Sequence, residues 1–329
     1  MRTVRVLNRR RCSVPGVCLL AIGLCAAGMA PALIAASAQT TSGQTQESFA
    51  SAEDAVAALV KALQGDDTRA LRAILGPGSD RLVASGDPVA DANGRKRFLS
   101  DYAASHALMP QGDGRMVLVI GQDAWPLPIP LVQANGSWRF DAASGAQEII
   151  NRRIGRNELL TIRTLLAAVE AEQDYFDRMK RGSGTGVYAR RFRSTPGNQD
   201  GLYWEVAPGE ASSPLGPLIE QAESEGYPGA AAPHGRQTPY RGYLYRVLTS
   251  QGAEAPGGAK DYMRNGQMTE GFAFLAWPVQ YGSSGVMTFM VDQDGVVFQK
   301  DLGPETAKIA AGMTRFDPDL SWARLEISD

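Results

Sequence analysis

The spacing of hydrophobic and polar positions in the first part of the chain predicts three helices. Ser51, a good N-cap residue, and Gly65 bound the first, whose apolar side chains recur at helical spacing: Ala52, Ala55, Val56, Leu59, Val60 and Leu63. A shorter helix with the same periodicity is predicted after Thr68, its expected cap. The pair Asp87-Pro88 has the composition of a helix start and predicts the third helix.

Strands are predicted where the hydrophobic spacing stops being helical. Residues 116–120 form a short apolar run. Asn135-Gly136 is the strongest hairpin signal in the chain, and residues 138–140 follow it as the return strand. Pro128 and Pro130 interrupt an otherwise alternating segment, which is therefore expected to be an irregular or edge strand.

The middle of the chain predicts a long helix that ends at the glycine-rich residues 182–186. Ser144 with Gln147 has the pattern of a capping box at its start, and Gly155 is one expected break. A near-heptad stripe predicts the face that packs on a sheet: Leu159, Ile162, Leu166, Val169 and Phe176.

The last third of the chain is rich in glycine and proline and predicts strands separated by long loops. Residues 243–248 and 272–277 are expected strands, and residues 286–291 and 296–299 form an expected hairpin around the turn at 292–295. A short helix is expected at 304–313. Helices and mainly antiparallel strands in separate runs indicate an α+β fold.

The first 38 residues have the composition of a signal peptide. Arg2, Arg5 and residues 9–11 form a positive region, residues 14–36 are uncharged and mostly apolar, and Ala36-Ser37-Ala38 fits a cleavage site. Cleavage near Ala38 would export the protein to the periplasm or medium and leave residues 39–48 as a polar linker. The alternative is an uncleaved membrane anchor, because the apolar run is about long enough to span a bilayer.

Removal of this segment changes the composition of the chain. All three cysteines leave with it, so the mature protein is expected to have no disulfide, no thiolate nucleophile and no cysteine-bound metal. Five arginines and no acid also leave. The remaining 291 residues carry 28 basic and 35 acidic side chains, a formal charge of −7. This acidic balance disfavours nucleic-acid binding, and no cofactor or metal is expected.

Two groups of residues are candidates for binding, and no residue is a clear catalytic candidate. Arg152, Arg153 and Arg156 are expected early in the long helix, where the helix dipole favours acids. They are interpreted either as contacts to a ligand or partner or as internal salt bridges to Asp141 and Glu148. The aromatic side chains expected to line a glycan or peptide groove, or alternatively to fill the core, are Tyr203, Trp204 and Trp277.

The whole chain after Phe49 resembles DUF2950, a bacterial family of unknown function. The segments that carry the resemblance are SGDPV (85–89), WPLPIP (125–130), NRRIGRNE (151–158), YARRFRSTPG (188–197), GLYW (201–204), SPLGP (213–217), GVMTFMVDQDG (285–295) and KDLG (300–303). This resemblance implies no activity and no site residues.

Two further resemblances concern the halves of the chain. Residues 58–63, Gly65-Asp66 and residues 136–141 are similar to NTF2-like α+β domains, which implies such a domain over 49–150, with a sheet curled around helices and often an apolar pocket. The long helix followed by 271–278 and 285–295 is similar to the soluble part of type II secretion pseudopilins. That likeness implies a long helix plus a small antiparallel sheet over 151–329.

Two hypotheses for function follow from these expectations. The first is a non-enzymatic, exported binding or scaffold protein of the bacterial cell envelope, with an envelope protein or a glycan of unknown identity as partner. The alternative is a small-ligand-binding protein, or a hydrolase- or isomerase-type enzyme, that uses a pocket in the NTF2-like domain. A pocket that contains His106 or converging carboxylates favours the alternative, whereas a closed core favours the scaffold.

Overall fold

The computed structural model describes residues 46–229 and 237–328 together with the pair Thr3–Val4. The predicted signal peptide lies outside the described residues except for that pair. Most of the predicted linker and His234 lie outside them too. Thr3–Val4 is a two-residue strand, β1, which pairs antiparallel with the last strand of the chain.

Seven helices lie within the described residues. Their bounds are α1 Ala52–Gln64, α2 Thr68–Leu75, α3 Asp80–Val83, α4 Pro88–Ala104, α5 Ala142–Ser183, α6 Gly216–Ser224 and α7 Thr306–Gly312. None of the helices in this part of the chain is both long enough and apolar enough to cross a membrane.

The strands complete an α+β fold. After β1 they are β2 His106–Pro110, β3 Arg115–Ile120, β4 Trp125–Pro126, β5 Leu131–Ala134, β6 Ser137–Phe140, β7 Tyr243–Leu248, β8 Ser250–Gln251, β9 Lys260–Asp261, β10 Met263–Arg264, β11 Gln267–Met268, β12 Ala273–Pro278, β13 Met287–Asp292, β14 Val297–Asp301, β15 Ala323–Arg324 and β16 Ile327–Ser328. The pairings among them are antiparallel, as the turn signals of the sequence indicated.

The N-terminal half packs α1, α2 and α4 against a sheet with strand order β2-β3-β5-β6, to which β4 adds beside β3. Ser51 caps α1 as predicted, because its hydroxyl accepts the Asp54 N–H. The cap of α2 is Asp67 and not the predicted Thr68, since the Asp67 carboxylate accepts two backbone N–H groups of the first turn.

The prolines and the hairpin act on this sheet as predicted. Asn135 and Gly136 join β5 to β6 with positive φ angles of 52° and 77°, the conformation that this dipeptide adopts at low cost. No strand includes residues 127–130, because Pro128 and Pro130 lack the N–H groups that a ladder needs.

The long helix α5 is continuous over 42 residues. It begins at Ala142, so the expected capping box is wrong: Ser144 lies inside the first turn and donates to the Asp141 carboxylate. Gly155 does not break α5, since an interior glycine costs only about 1 kcal/mol and tertiary packing outweighs it. The expected domain boundary at residue 150 therefore falls within a helix that both halves share.

The buried face of α5 is shifted from the predicted stripe by part of a turn. Leu159 is 42% exposed, whereas Leu165, absent from that stripe, is fully buried. Ile162 and Val169 are buried as predicted, and Leu166 and Phe176 are half-buried. The difference arises because the buried positions follow the 3.6-residue period of a straight helix and include small and polar side chains: Thr161, Thr164, Ala168 and Glu172.

The C-terminal half is a five-stranded antiparallel sheet with the order β15-β14-β13-β12-β7. All six residues of β12 are buried, as expected of a strand covered on both faces, and both α5 and α7 contact it. The largest side chains of this core are aromatic and include Tyr243, Phe272, Phe274 and Phe289.

A buried carboxylate joins the two halves. Asp87 caps α4 by accepting the Ala90 N–H, and its second oxygen accepts the Tyr227 O–H and the Gly242 N–H from the other half. Asp87 has no exposed surface, so these three donors take the place of water around its side-chain oxygens. The SGDPV segment thus serves as a structural connection.

Candidate functional site

A cavity of about 380 Å³ lies in the N-terminal half, beneath α4. The buried residues of its lining all have hydrocarbon side chains: Leu59, Leu71, Leu75, Val83, Ile120, Leu127 and Ile129. Its charged lining residues are half-buried or exposed and come from α4 and α5: Asp91, Arg95, Arg97, Asp101 and Arg156. The cavity therefore has an apolar interior and a charged rim.

The cavity exists because α4 does not fill the space between itself and the core. None of the 17 residues of α4 is fully buried, although the helix contacts α1, β2 and β3. Gly94 lies on its cavity side, and a Cβ added there would meet only the end of Arg97, at 4.0 Å. The residues that α4 contributes to the lining are one aromatic, Phe98, a glycine and charged residues, and this set leaves an open volume beneath the helix.

The opposite wall is built by a close approach of α5 to the segment before β5. A Cβ at Gly145 would lie 2.0 Å from the carbonyl oxygen of Pro128, so only glycine fits. This contact brings Ile149 of α5 and Ile129 of the proline-rich segment to the same cavity.

The three arginines predicted as a binding group have three different environments. Arg152 forms a salt bridge of 2.7 Å with Glu148, in agreement with the interpretation of internal salt bridges. Arg153 donates to the carbonyl oxygens of Arg81 and Leu82, at 2.7 and 2.6 Å. Of the three, the cavity lining includes only Arg156.

The helix-dipole argument for these arginines is wrong, because α5 begins at Ala142. They lie in its third and fourth turns, where the dipole of the helix terminus has little effect. A binding role for the three arginines stays a prediction, and Arg156 is the one of them that lines the cavity.

Arg97 and Arg156 are two cations at the rim without an acidic partner in the described part of the chain. Partial burial and the charge of Arg97 lower the pKa of Arg156, the direction expected for neighbouring cations. Arg95, the other arginine of the lining, instead forms a salt bridge of 2.6 Å with Asp66. Because guanidinium groups stay protonated at neutral pH, two cations without a salt-bridge partner among the described residues lie at the rim, beside an apolar interior.

A family model described as a protein of unknown function, DUF2950, matches residues 46–325. The chain belongs to the DUF2950 family. No curated protein and no solved structure matches the chain. The NTF2-like and pseudopilin-like resemblances therefore stay predictions for this DUF2950 protein, while the α+β class is confirmed by the structure.

The predicted aromatic residues of the DUF2950 chain separate into two environments. Tyr203 and Trp204 are half-buried and line a cleft of about 420 Å³ whose other wall is the polar loop 193–199. Arg193 lies over the Tyr203 ring, 5.7 Å from its centre. Trp277, on β12, is only 3% exposed and lies under Arg246, so it does not line this cleft.

A third opening, of about 630 Å³, lies on the other side of the same loop. Leu215, Leu218 and Ile219 form one wall, and Phe192 and Tyr245 form another. Its rim includes Gly229 and Gln237, the two ends of a segment outside the described residues.

Of the binding residues predicted from the sequence, only Arg156 lines the cavity beneath α4, and the rest of its lining was not predicted. His106 stacks on Tyr102 with ring centres 3.8 Å apart, and it does not line the cavity. The missed signal was the composition of α4, which has glycine and three basic residues in 94–97 and little helical periodicity of apolar residues. Within the described residues, no cluster of three His, Cys, Asp or Glu side chains could hold a metal.

Proposed function

We propose that this protein is an exported, non-enzymatic binding protein that holds a small amphipathic molecule in the cavity beneath α4. The observation that carries the proposal is the division of the lining into a buried hydrocarbon interior and a charged rim. Such a cavity takes an apolar body from water and leaves a polar end at the surface.

The size of the cavity supports a small molecule as the ligand. Its volume of about 380 Å³ lies within the range of roughly 300–1,000 Å³ that is usual for such sites. Asp91 and Asp101 are the carboxylates of the lining, and Asp91 is already engaged as acceptor of the Ser85 N–H. Asp101 is exposed at the rim, and the buried interior offers only hydrocarbon surface, so binding is favoured over acid–base catalysis.

A neutral fluorescent probe tests this proposal. N-phenyl-1-naphthylamine should bind the mature protein with a blue-shifted emission, and Gly94→Leu should weaken that binding at least tenfold by filling the cavity. Leucine also has a higher helix propensity than glycine, so Gly94→Leu should not lower the melting temperature.

The matched control is Gly155→Leu, in α5. A Cβ at Gly155 meets no atom within 4 Å, and Gly155 does not line the cavity. Gly155→Leu should leave probe binding unchanged. Absence of probe binding to the parent protein, or equal loss in both variants, would refute the proposed cavity site.

Export is part of the proposal and rests on the signal-peptide composition of residues 1–38. The mature chain should begin near Gln39. Mass spectrometry of protein recovered from the periplasm or medium tests this, and an intact N-terminus there would contradict it.

A second candidate is a glycan- or peptide-binding role for the cleft at Tyr203 and Trp204. Half-buried aromatic rings opposite hydroxyl and amide groups, such as those of Thr195 and Asn198, suit a sugar or a peptide of the cell envelope. Trp204→Ala should abolish a change in tryptophan fluorescence on addition of cell-wall fragments. An unchanged response would exclude the cleft.

A further inference from the structure

We infer that the ligand of the α4 cavity is an aliphatic carboxylate, with its headgroup between Arg97 and Arg156 and its chain in the hydrocarbon interior. This inference rests on the proposed function, since it names the class of molecule that the same site would bind. It depends on how the arginines around the rim are partnered.

Three of the five arginines near this site already have protein acceptors. Arg95 pairs with Asp66, Arg152 pairs with Glu148, and Arg153 donates to two backbone carbonyl oxygens. Arg152 in addition lies 5.0 Å from the centre of the Trp125 ring. Each of these guanidinium groups is held by the protein itself.

Arg97 and Arg156 differ from these three because they line the cavity and form no salt bridge or hydrogen bond within the described part of the chain. They come from different helices, α4 and α5, and are close enough for the charge of one to act on the other. Two like charges at one rim repel each other unless an anion lies between them.

The acids of the rim do not supply that anion. Asp91 accepts the Ser85 N–H and interacts electrostatically with Arg153. Asp101 lies one helical turn after Arg97, at the spacing that allows a salt bridge on a helix, yet it forms none. The unpaired cations are therefore available to an anion from outside.

The chemistry of the headgroup follows from the guanidinium geometry. Guanidinium groups bind carboxylates through paired N–H donors, and such charge-assisted bonds are about twice as strong as neutral ones. A carboxylate at the rim places any attached chain next to the buried side chains of Leu71, Val83 and Ile129. One molecule thus satisfies both parts of the lining.

The test compares ligands with one chain and two headgroups. In displacement of N-phenyl-1-naphthylamine from the mature protein, decanoate should show at least tenfold higher affinity than decanol. Added salt should reduce this difference in affinity. Affinity within the saturated carboxylates should rise about fourfold per methylene until the cavity is full.

Arginine variants identify the headgroup site. Arg97→Gln and Arg156→Gln should each weaken decanoate binding about five- to tenfold, and the double variant should bind decanoate no better than decanol. Probe and decanol affinities should stay unchanged in all three. Arg152→Gln, whose arginine is paired with Glu148, is the matched control and should bind decanoate like the parent.

The outcomes separate this inference from the proposed function. Equal affinity for decanoate and decanol, or an unchanged decanoate affinity in the double variant, would overturn the carboxylate assignment and leave the cavity as a binding site. Failure of the probe and of both ligands to bind the parent protein would overturn the proposed function as well.

Discussion

The two halves of this chain cover their sheets with helices in opposite ways. In the C-terminal half, α5 buries ten residues between Asn157 and Tyr175 and packs on strands whose aromatic side chains fill the interior. In the N-terminal half, α4 fully buries none of its 17 residues and leaves a cavity of about 380 Å³. When a helix covers a core but none of the helix's own residues is fully buried, a volume available to a ligand is indicated.

The cost of an empty apolar volume explains why the contrast matters. Groups that line a cavity lose dispersion contacts, and a core with such a space is less stable than a filled one. The C-terminal half and the shared helix α5 supply packing that the N-terminal half lacks. Asp87 links the halves through Tyr227 and Gly242, so the C-terminal half can stabilise the N-terminal half, which contains the cavity.

The largest expected effect is at the packed end of α5. Leu165→Asp places an unpaired charge at a fully buried position and should lower the free energy of unfolding by about 4 kcal/mol or more. Leu159→Asp, at a position 42% exposed, should change it by less than about 0.5 kcal/mol. Urea denaturation of both variants measures the difference. Similar stability of the two would mean that α5 is not packed as described.

An intermediate effect concerns Glu172, a fully buried acid in the packed half. One carboxylate oxygen accepts the Ala189 N–H, and the other has no partner. Burial raises the pKa of Glu172 well above its usual range. The folded state therefore binds the proton of Glu172 more tightly than the unfolded state does. The protonated carboxyl contributes to stability fully below the unfolded pKa, and this contribution is lost as pH rises through the folded pKa.

Glu172→Gln removes that titration. The stability of the variant relative to the parent should rise with pH above about 4.3, by at most about 1.4 kcal/mol per pH unit, until the folded pKa is passed. Denaturation at a series of pH values measures this slope. Glu170→Gln, at an exposed position of the same helix, is the control and should change the free energy of unfolding by less than about 0.5 kcal/mol. A flat difference for Glu172→Gln would show that its carboxyl is not buried as described.

The smallest expected effect is that of adding one methylene group to the core of each half. Val291→Ile adds it to a filled interior and should cost about 1–2 kcal/mol, because overpacking forces strain. Val83→Ile adds the same group beside the cavity and should change stability by less than about 0.5 kcal/mol. Thermal denaturation distinguishes them. A larger cost for Val83→Ile than for Val291→Ile would contradict the contrast between the halves.

Much of the secondary structure followed from local patterns. The periodicity of α1, the cap at Ser51, the start of α4 at Asp87-Pro88 and the Asn135-Gly136 hairpin were correct because each depends on residues close together in sequence. The α+β class followed from the order of these elements. Family membership followed from motifs spread over the chain, and the family model matches residues 46–325.

Tertiary structure decided which faces are buried and which charges are paired. Leu159 and Leu165 are both apolar, and only the position of the sheet under α5 buries the second. Arg153 and Arg156 look equivalent in sequence, yet Arg153 donates to carbonyl oxygens of α3, whereas Arg156 lines the cavity, where the charge of Arg97 acts on it. Local sequence determines helices and turns because their hydrogen bonds are short-range, but a cavity and its unpaired cations arise from contacts between residues far apart in the chain.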